Sequence, residues 1–308
     1  MMTRRPLTFD ADALRAFVTG MELGSFALAA ERLGRSTSAI SAQLKKLEQQ
    51  SGTALVQKAG RHLALTAEGE IMLSYARRML SLNDEAWAAL KARGASGEVR
   101  LGLQEDFGEV LLPTVLGQFS RACPEVEIAV TVTRNAPLRE AMMRQELDLA
   151  LSWEGRDEPV FDHLLGRLPL QWIAAAEFDL ARYLDRNQPL PLLAFEAPCV
   201  MRTAATAALD NAGIPWRIAV TSRSLNGIWA AASAGLGVAL RTTMGMPASL
   251  QVVHCAKLPA AGDIGVGLYG DENRLAGPAK LLLHTITACF ALHMPPTDSF
   301  AVRGAPVC

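Results

Sequence analysis

At 308 residues the chain is longer than one ordinary core can hold, so two or three domains are expected. Half of it is hydrophobic and 20% is charged, a globular balance that excludes a disordered or fibrous chain. The net charge of −1 hides an asymmetry: residues 1–93 carry 13 Lys+Arg against 9 Asp+Glu, and residues 94–308 carry 17 against 22. Only the smaller, basic part suits a polyanion.

In chain order, three short helices come first. "DADALRAFVTGMELG" sets Leu14, Phe17, Val18 and Met21 on one face and stops at Gly24. In "SFALAAERLG", Ser25 is the expected cap, and Phe26, Ala29, Ala30 and Leu33 recur at helical spacing. Gly34 then makes a tight turn. Ser36 caps a third helix that ends at Gly52, with Ile40, Leu44 and Leu47 facing inward. Two helices joined by so short a glycine turn form a helix-turn-helix. Next, "ALVQKAGRHLALT" reads as two short strands around a hairpin tip at Ala59-Gly60 that displays Lys58 and Arg61. Thr66 caps a long helix whose Met72, Ala76, Met79, Asn83, Ala86 and Leu90 repeat like a coiled-coil seam. "GASG" at 94–97 marks a domain boundary.

From Glu98 the period changes. "EVRLGLQ", "VEIAVTVT" and "LALSW" are expected strands, separated by helices "VLLPTVLGQFSRACP" and "PLREAMMRQELD". A second unit starts near "LQWIAAA" and alternates in the same way through "LGVALR". Near residue 264 the chain returns through strand "IGVGLYG" to helix "PAKLLLHTITACFALH". Such alternation means an α/β domain with a largely parallel sheet. The tail after Pro295 is expected to be mobile.

Several chemistries find no support. Cys123, Cys199, Cys255, Cys289 and Cys308 form no CxxC pair, so neither a zinc site nor a disulfide framework is expected, and reduced thiols in a cytoplasm fit best. No cofactor is implied. The longest apolar run, near "IWAAASAGLGVAL", falls short of the roughly 20 residues that cross a bilayer. The first residues carry two arginines but no apolar run before a small-residue cleavage site, so no signal peptide is expected. That weighs against a transport receptor. An enzyme would need an acid, base or nucleophile cluster; no GxSxG, no HxxxH and no P-loop occurs.

The third helix carries the most specific signal. Its outward face is small and hydroxylated at the front, with Ser36, Thr37, Ser38, Ser41 and Ala42, and basic behind, with Lys45 and Lys46. Short side chains let a helix come close to a major groove. Hydroxyls then reach base edges, and lysines reach phosphates. The run from Ala13 to Glu70 closely resembles the N-terminal signature of LysR-type transcriptional regulators, on the pattern "GSF..AAE.L..S.SA.S.Q...LE...G..L......L.LT..G". The resemblance continues through "VRLGLQEDF", "ELDLALSW", "PCVMR" and "AGLGVALR".

That resemblance implies a winged helix-turn-helix over 1–65, a dimerising linker helix over 66–93 and a two-lobed effector-binding domain over 98–300, like periplasmic binding proteins. Lobe I would take about 98–168 and 267–294, and lobe II about 169–266. It also implies a bacterial, cytoplasmic regulator of transcription with double-stranded DNA, a small-molecule effector and RNA polymerase as partners. Dimers would form through the linker helix and pair into tetramers on DNA. By position, base contacts fall on Thr37, Ser38, Ser41 and Ala42, with Arg61 on the wing. Two departures bear on the operator. Ala42 stands where many members have arginine or another long polar residue. The wing approach "LVQK" has Val56 for Phe and Lys58 for Arg, and lysine is a point charge suited to phosphate.

Ligands of α/β domains sit beyond the carboxyl ends of strands, and in two-lobed ones between the lobes. The positions there are Gln104, Glu105, Asp106, Phe107, Asn135, Met201, Arg202, Arg223 and Ser224. Asp106 and Asn135 align by resemblance with positions that commonly contact effector, and the family often has Ser or Thr at the first. An aspartate there disfavours a carboxylate ligand unless Arg202 or Arg223 offsets it, so a polar, zwitterionic or cationic effector is expected. Alternatively Asp106 only caps the following helix. Cys199 lies nearby, as a small buried residue or as a redox-sensing thiol.

Overall fold

The computed structural model describes residues 8–59, 62–91, 96–155, 161–275 and 277–293. It divides the chain into two compact units, Met1–Lys91 and Ala92–Cys308. Gly94 and Ala95 of the "GASG" boundary and the tail after Pro295 fall outside the described residues.

The first unit opens with α1 (Ala11–Glu22), α2 (Phe26–Arg32) and α3 (Thr37–Ser51). Each starts at an extended residue whose side chain accepts the amide three residues on: Asp10 from Ala13 at 3.0 Å, Ser25 from Leu28 at 3.3 Å and Ser36 from Ala39 at 3.2 Å. Such a cap contributes about 1 kcal/mol. Gly34 turns the chain between α2 and α3 with φ +61°, a left-handed conformation that side chains disfavour. Ala16, Ala30 and Ile40 knit the three helices together at the turn, while Leu14, Phe17 and Leu47 form the main core with Leu55. Leu44 is half-buried against that core.

Strands β1 (Val56–Ala59) and β2 (His62–Leu65) pair antiparallel, with Ala59 opposite His62. Ala59 of the expected hairpin tip thus belongs to the ladder, and Gly60 lies outside the described residues. The last helix, α4 (Ala67–Lys91), starts under Thr66, whose hydroxyl accepts from Gly69 at 2.9 Å and donates to the Ala54 carbonyl at 2.8 Å. A Cβ on Gly69 would stand 2.0 Å from the Leu55 carbonyl oxygen, so only glycine lets α4 begin this close. The expected seam is split. Met72 and Ala76 are buried with Leu73 and Leu80 in the unit's own core, because the first half of α4 closes that core. Met79, Asn83, Ala86 and Leu90 stay exposed, together with Ile71, Tyr75 and Leu82.

The second unit has two lobes. Lobe I contains β3 (Gly97–Leu103), α5 (Glu105–Val110), α6 (Leu112–Ala122), β4 (Val126–Val132), α7 (Asn135–Met143), β5 (Leu149–Trp153) and β6 (His163–Pro169). Lobe II contains β7 (Gln171–Ala175), α8 (Ala181–Leu184), β8 (Leu190–Phe195), α9 (Val200–Asn211), β9 (Trp216–Ser222), α10 (Leu225–Ser233), β10 (Ala239–Arg241) and β11 (Leu250–Val252). The chain then returns to lobe I through β12 (Asp263–Tyr269) and α11 (Gly277–His293).

Lobe I is a sheet in the order β4-β3-β5-β12-β6; lobe II has β10-β7-β11 and β8-β9, joined by a parallel bridge from Leu192 to Val238. The sheets are mixed, not largely parallel. Pairs β3–β4, β3–β5 and β8–β9 are parallel, but β12 runs against β5 and β6, and β7 against β10 and β11. The antiparallel pairs involve the strands on either side of the crossings between lobes. The first crossing is at Leu170 and the second lies before Asp263, beside the return expected near residue 264 and ahead of the lobe bound of about 267. The two crossings are held side by side: Leu170 N donates to Gly262 O at 2.9 Å, and Trp172 Nε1 to Pro259 O at 2.9 Å. Hence strand-end residues of both lobes face a common cleft.

Candidate functional site

The first candidate surface is the outer face of α3. Ser36, Thr37, Ser38, Ser41, Ala42 and Lys45 are all exposed, with Ile40 and Leu47 anchoring the opposite face. The front hydroxyls are ordered by their own helix. Ser36 Oγ lies 3.0 Å from Ser38 Oγ, and Ser41 donates to the Thr37 carbonyl at 2.9 Å. This leaves a low polar surface of short hydroxyl side chains on the front of the helix. Arg35, exposed at the start of this helix, adds a positive charge that periodicity gave no reason to single out.

Lys46 departs from expectation. Its ammonium pairs with Asp10 at 2.7 Å, tying α3 to the cap of α1. That hydrogen bond, with the one from the Ala13 amide, holds the Asp10 carboxyl below its ordinary range. Both lysines are exposed, and Lys46 is the one that ties α3 to α1. Arg61 lies outside the described residues, and of Lys58 the structure describes the backbone, in β1.

The second candidate site is the cleft between the lobes. Asp106 is buried in the first turn of α5 and forms an ion pair with Arg241, buried at the end of β10. The arginine that offsets Asp106 is therefore neither Arg202 nor Arg223. Arg202 Nη1 donates to the Phe195 carbonyl at 3.2 Å, and Arg223, largely exposed, pairs with Glu196 at 2.7 Å. Nor does Asp106 cap α5: Gln104 holds the cap position. Beside Asp106, Glu105 accepts the Leu225 amide at the start of α10, a second link between the lobes.

The remaining expected residues divide into wall and scaffold. Phe107 is fully buried and its ring lies 4.5 Å from that of Trp153, whose Nε1 reaches toward Asp106 at 3.4 Å. Asn135, Ser152 and Gln104 form one chain: Gln104 Nε2 donates to Ser152 Oγ at 3.3 Å, Ser152 Oγ to Asn135 Oδ1 at 2.6 Å, and Asn135 Nδ2 to the Trp153 carbonyl at 2.9 Å. These residues hold the ends of β3 and β5 in register. Met201 is buried at the start of α9, where it lines a cavity of about 10 Å³ beside Arg241 together with Cys199, Arg202 and Phe195. The Ser224 backbone brackets the Ser222 hydroxyl, its amide donating to it at 3.0 Å and its carbonyl accepting from it at 2.8 Å. The residues missed in the sequence are Arg241, Trp229 and Phe195. The Arg241 guanidinium stands 4.8 Å from the centre of the Phe195 ring and 5.8 Å from that of Trp229. Arg241 closes the "AGLGVALR" strand, so its place at a strand end was the one available signal.

Among the described residues, no group of three His, Cys, Asp or Glu side chains is placed to hold a metal ion. Among them also, no single helix is long and apolar enough to cross a membrane.

Comparison with known proteins gives both surfaces a context. Residues 11–70 match a family model described as a bacterial regulatory helix-turn-helix protein of the lysR family, and residues 92–286 match the LysR substrate binding domain. The transcriptional regulator DgdR of Burkholderia cepacia is 34% identical over 288 residues, covering 93% of this chain and 94% of the relative. The transcriptional regulator PecT of Dickeya dadantii is 33% identical over 253 residues, covering 82% of this chain and 78% of the relative. Among solved structures, the LysR-type regulator CrgA of Neisseria meningitidis superposes with a TM-score of 0.58 at 20% identity, over 93% of this chain and 99% of that one. DarR of Vibrio fischeri, solved in complex with DNA, superposes with a TM-score of 0.52 at 14% identity, over 91% and 99%. At such identities the structural likeness speaks for the fold.

Proposed function

The chain belongs to the LysR family of DNA-binding transcriptional regulators, and from that premise we propose how its parts divide the work. The outer face of α3 enters the major groove. Thr37, Ser38 and Ser41 meet base edges, Ala42 makes an apolar contact such as a thymine methyl, and Lys45 and Arg35 neutralise phosphates. Lys58 and Arg61 extend the contact along the backbone from the wing. The observation that carries this reading is the exposed, self-ordered hydroxyl front of α3 above a fully anchored inner face.

Two chains pair through α4, where Ile71, Tyr75, Leu82 and Leu90 offer an apolar surface. The dimers pair again into a homotetramer on DNA. The protein works in the cytoplasm, bound beside a promoter and in contact with RNA polymerase. A small-molecule effector binds between the lobes of the second unit, changes the angle between them and so shifts the spacing of the DNA-bound dimers.

Fluorescence anisotropy on the intergenic DNA beside the chain's own gene tests this reading. Tighter binding than to random duplex, weakening steeply with salt, is expected; equal affinity for both DNAs at every salt concentration would contradict it.

A further inference from the structure

The cleft carries information about what it binds. Asp106 belongs to lobe I and Arg241 to lobe II, and their side chains are 2% and 4% exposed. Their ion pair is thus a buried bond across the cleft. Around it, hydrogen bonding is incomplete. Among the described residues, Arg241 Nε and Trp229 Nε1 have no partner, and neither has the hydroxyl of Thr242, the next residue along. All three side chains are more than nine-tenths buried. Buried donors are normally satisfied, so this group is built for a partner it does not yet hold. The cavity of about 10 Å³ beside Arg241 has room for one water at most. A larger ligand must therefore part Asp106 from Arg241.

That requirement selects the ligand's charge. A simple anion on Arg241 would leave Asp106 buried without a counter-charge. A simple cation on Asp106 would strand Arg241 in the same way. Isolated buried charges are strongly disfavoured, and a neutral ligand has nothing to put in place of the pair. The start of α10, a usual seat for an anion, is already taken by Glu105. A ligand carrying both charges a few ångströms apart satisfies both residues at once. We propose that the interlobe site takes a small zwitterion of the α-amino acid class, whose ammonium faces Asp106 and whose carboxylate faces Arg241 and its free Nε. The Trp229 indole N–H supplies a further donor to the carboxylate, and the Phe195 ring forms the wall beside it. This rests on the effector reading of the cleft and deepens it.

The test is thermal unfolding of the full chain with each standard amino acid in turn, at millimolar concentration, beside the matching amine and the matching carboxylic acid. At least one amino acid is expected to raise the midpoint by about 3 °C or more, with neither fragment doing so. Arg241→Lys, which keeps the charge but loses the fork, is expected to weaken that amino acid at least tenfold by calorimetry while the chain remains folded. Asp106→Asn is expected to abolish the response. No response to any amino acid, or an equal response to the amine or acid alone, would overturn the proposal, and both readouts need only the wild-type chain. Anisotropy on DNA with the same preparation separates the two readings. Salt-sensitive, site-preferring binding without an amino-acid response refutes the ligand class alone; loss of site preference strikes the regulator reading itself.

Discussion

The Asp106–Arg241 pair and the Lys46–Asp10 pair are both ion pairs between distant residues, but burial gives them different weights. In the first, both side chains are sealed from water. Asp106→Asn leaves Arg241 charged and unpaired, so a loss of about 3–5 kcal/mol is expected by urea unfolding. In the second, the Lys46 side chain is 49% exposed and that of Asp10 33%. Lys46→Ala is therefore expected to cost less than about 1 kcal/mol and to leave the salt dependence of DNA binding unchanged. Lys45→Ala should do the reverse: stability is kept, affinity falls alike on operator and random DNA, and the slope of log affinity against log salt drops by about one. Anisotropy titrations across salt concentrations measure the DNA binding of both lysine variants, and urea unfolding their stability. Neither Lys46's role nor Arg241's was legible in the sequence. Asp10 lies 36 residues from Lys46 and Asp106 lies 135 from Arg241, and no local pattern records such a meeting. Arg202 and Arg223 were the natural candidates because they flank strand ends in sequence; the fold turns one to the Phe195 carbonyl and the other to Glu196.

At the scale of elements, Asp148 fastens β3 to the turn before β5. Its Oδ2 accepts from the Arg100 amide at 2.8 Å and its Oδ1 from Arg100 Nη2 at 2.7 Å, while Arg100 Nη1 donates to the Gln145 carbonyl at 2.7 Å. Partial burial works against ionising Asp148, but the hydrogen bonds and charge of Arg100 prevail and hold its carboxyl below the ordinary range. A depressed carboxylate stabilises the fold fully above the ordinary carboxylate pKa of about 4. That stability is lost as pH falls through the depressed value. Asp148→Asn is expected to cost about 2 kcal/mol at neutral pH, with the gap to wild type closing as urea unfolding is repeated toward pH 3. The linker helix gives another expectation. Leu82→Asp, at an exposed position of α4, should shift the chain toward monomer in sedimentation velocity without loss of helix content.

Helices and caps were readable at this scale because their signals are local. Ser25, Ser36, Gly34 and Thr66 act where their spacing placed them. Strands β10 and β11, three residues each, are too short to carry a period. The split face of α4 depends on α1, which periodicity along α4 does not contain.

For the whole molecule, the change of period at Glu98 and the switch to alternating strands and helices foretold two units and an α/β second unit. Strand direction was not foretold. A chain that leaves lobe I at Leu170 and returns before Asp263 must run some strands against their neighbours, and that follows from the path of the chain between lobes. In the proposed division of work the chain selects DNA through α3. Selection from a random duplex library, run in parallel for wild type and Ala42→Arg, tests it most directly. Wild type is expected to enrich paired half-sites about one helical turn apart or a multiple of that, and Ala42→Arg to change the preferred base within each half-site while keeping the spacing. No enriched sequence for wild type, or the same sequence for both proteins, would contradict it.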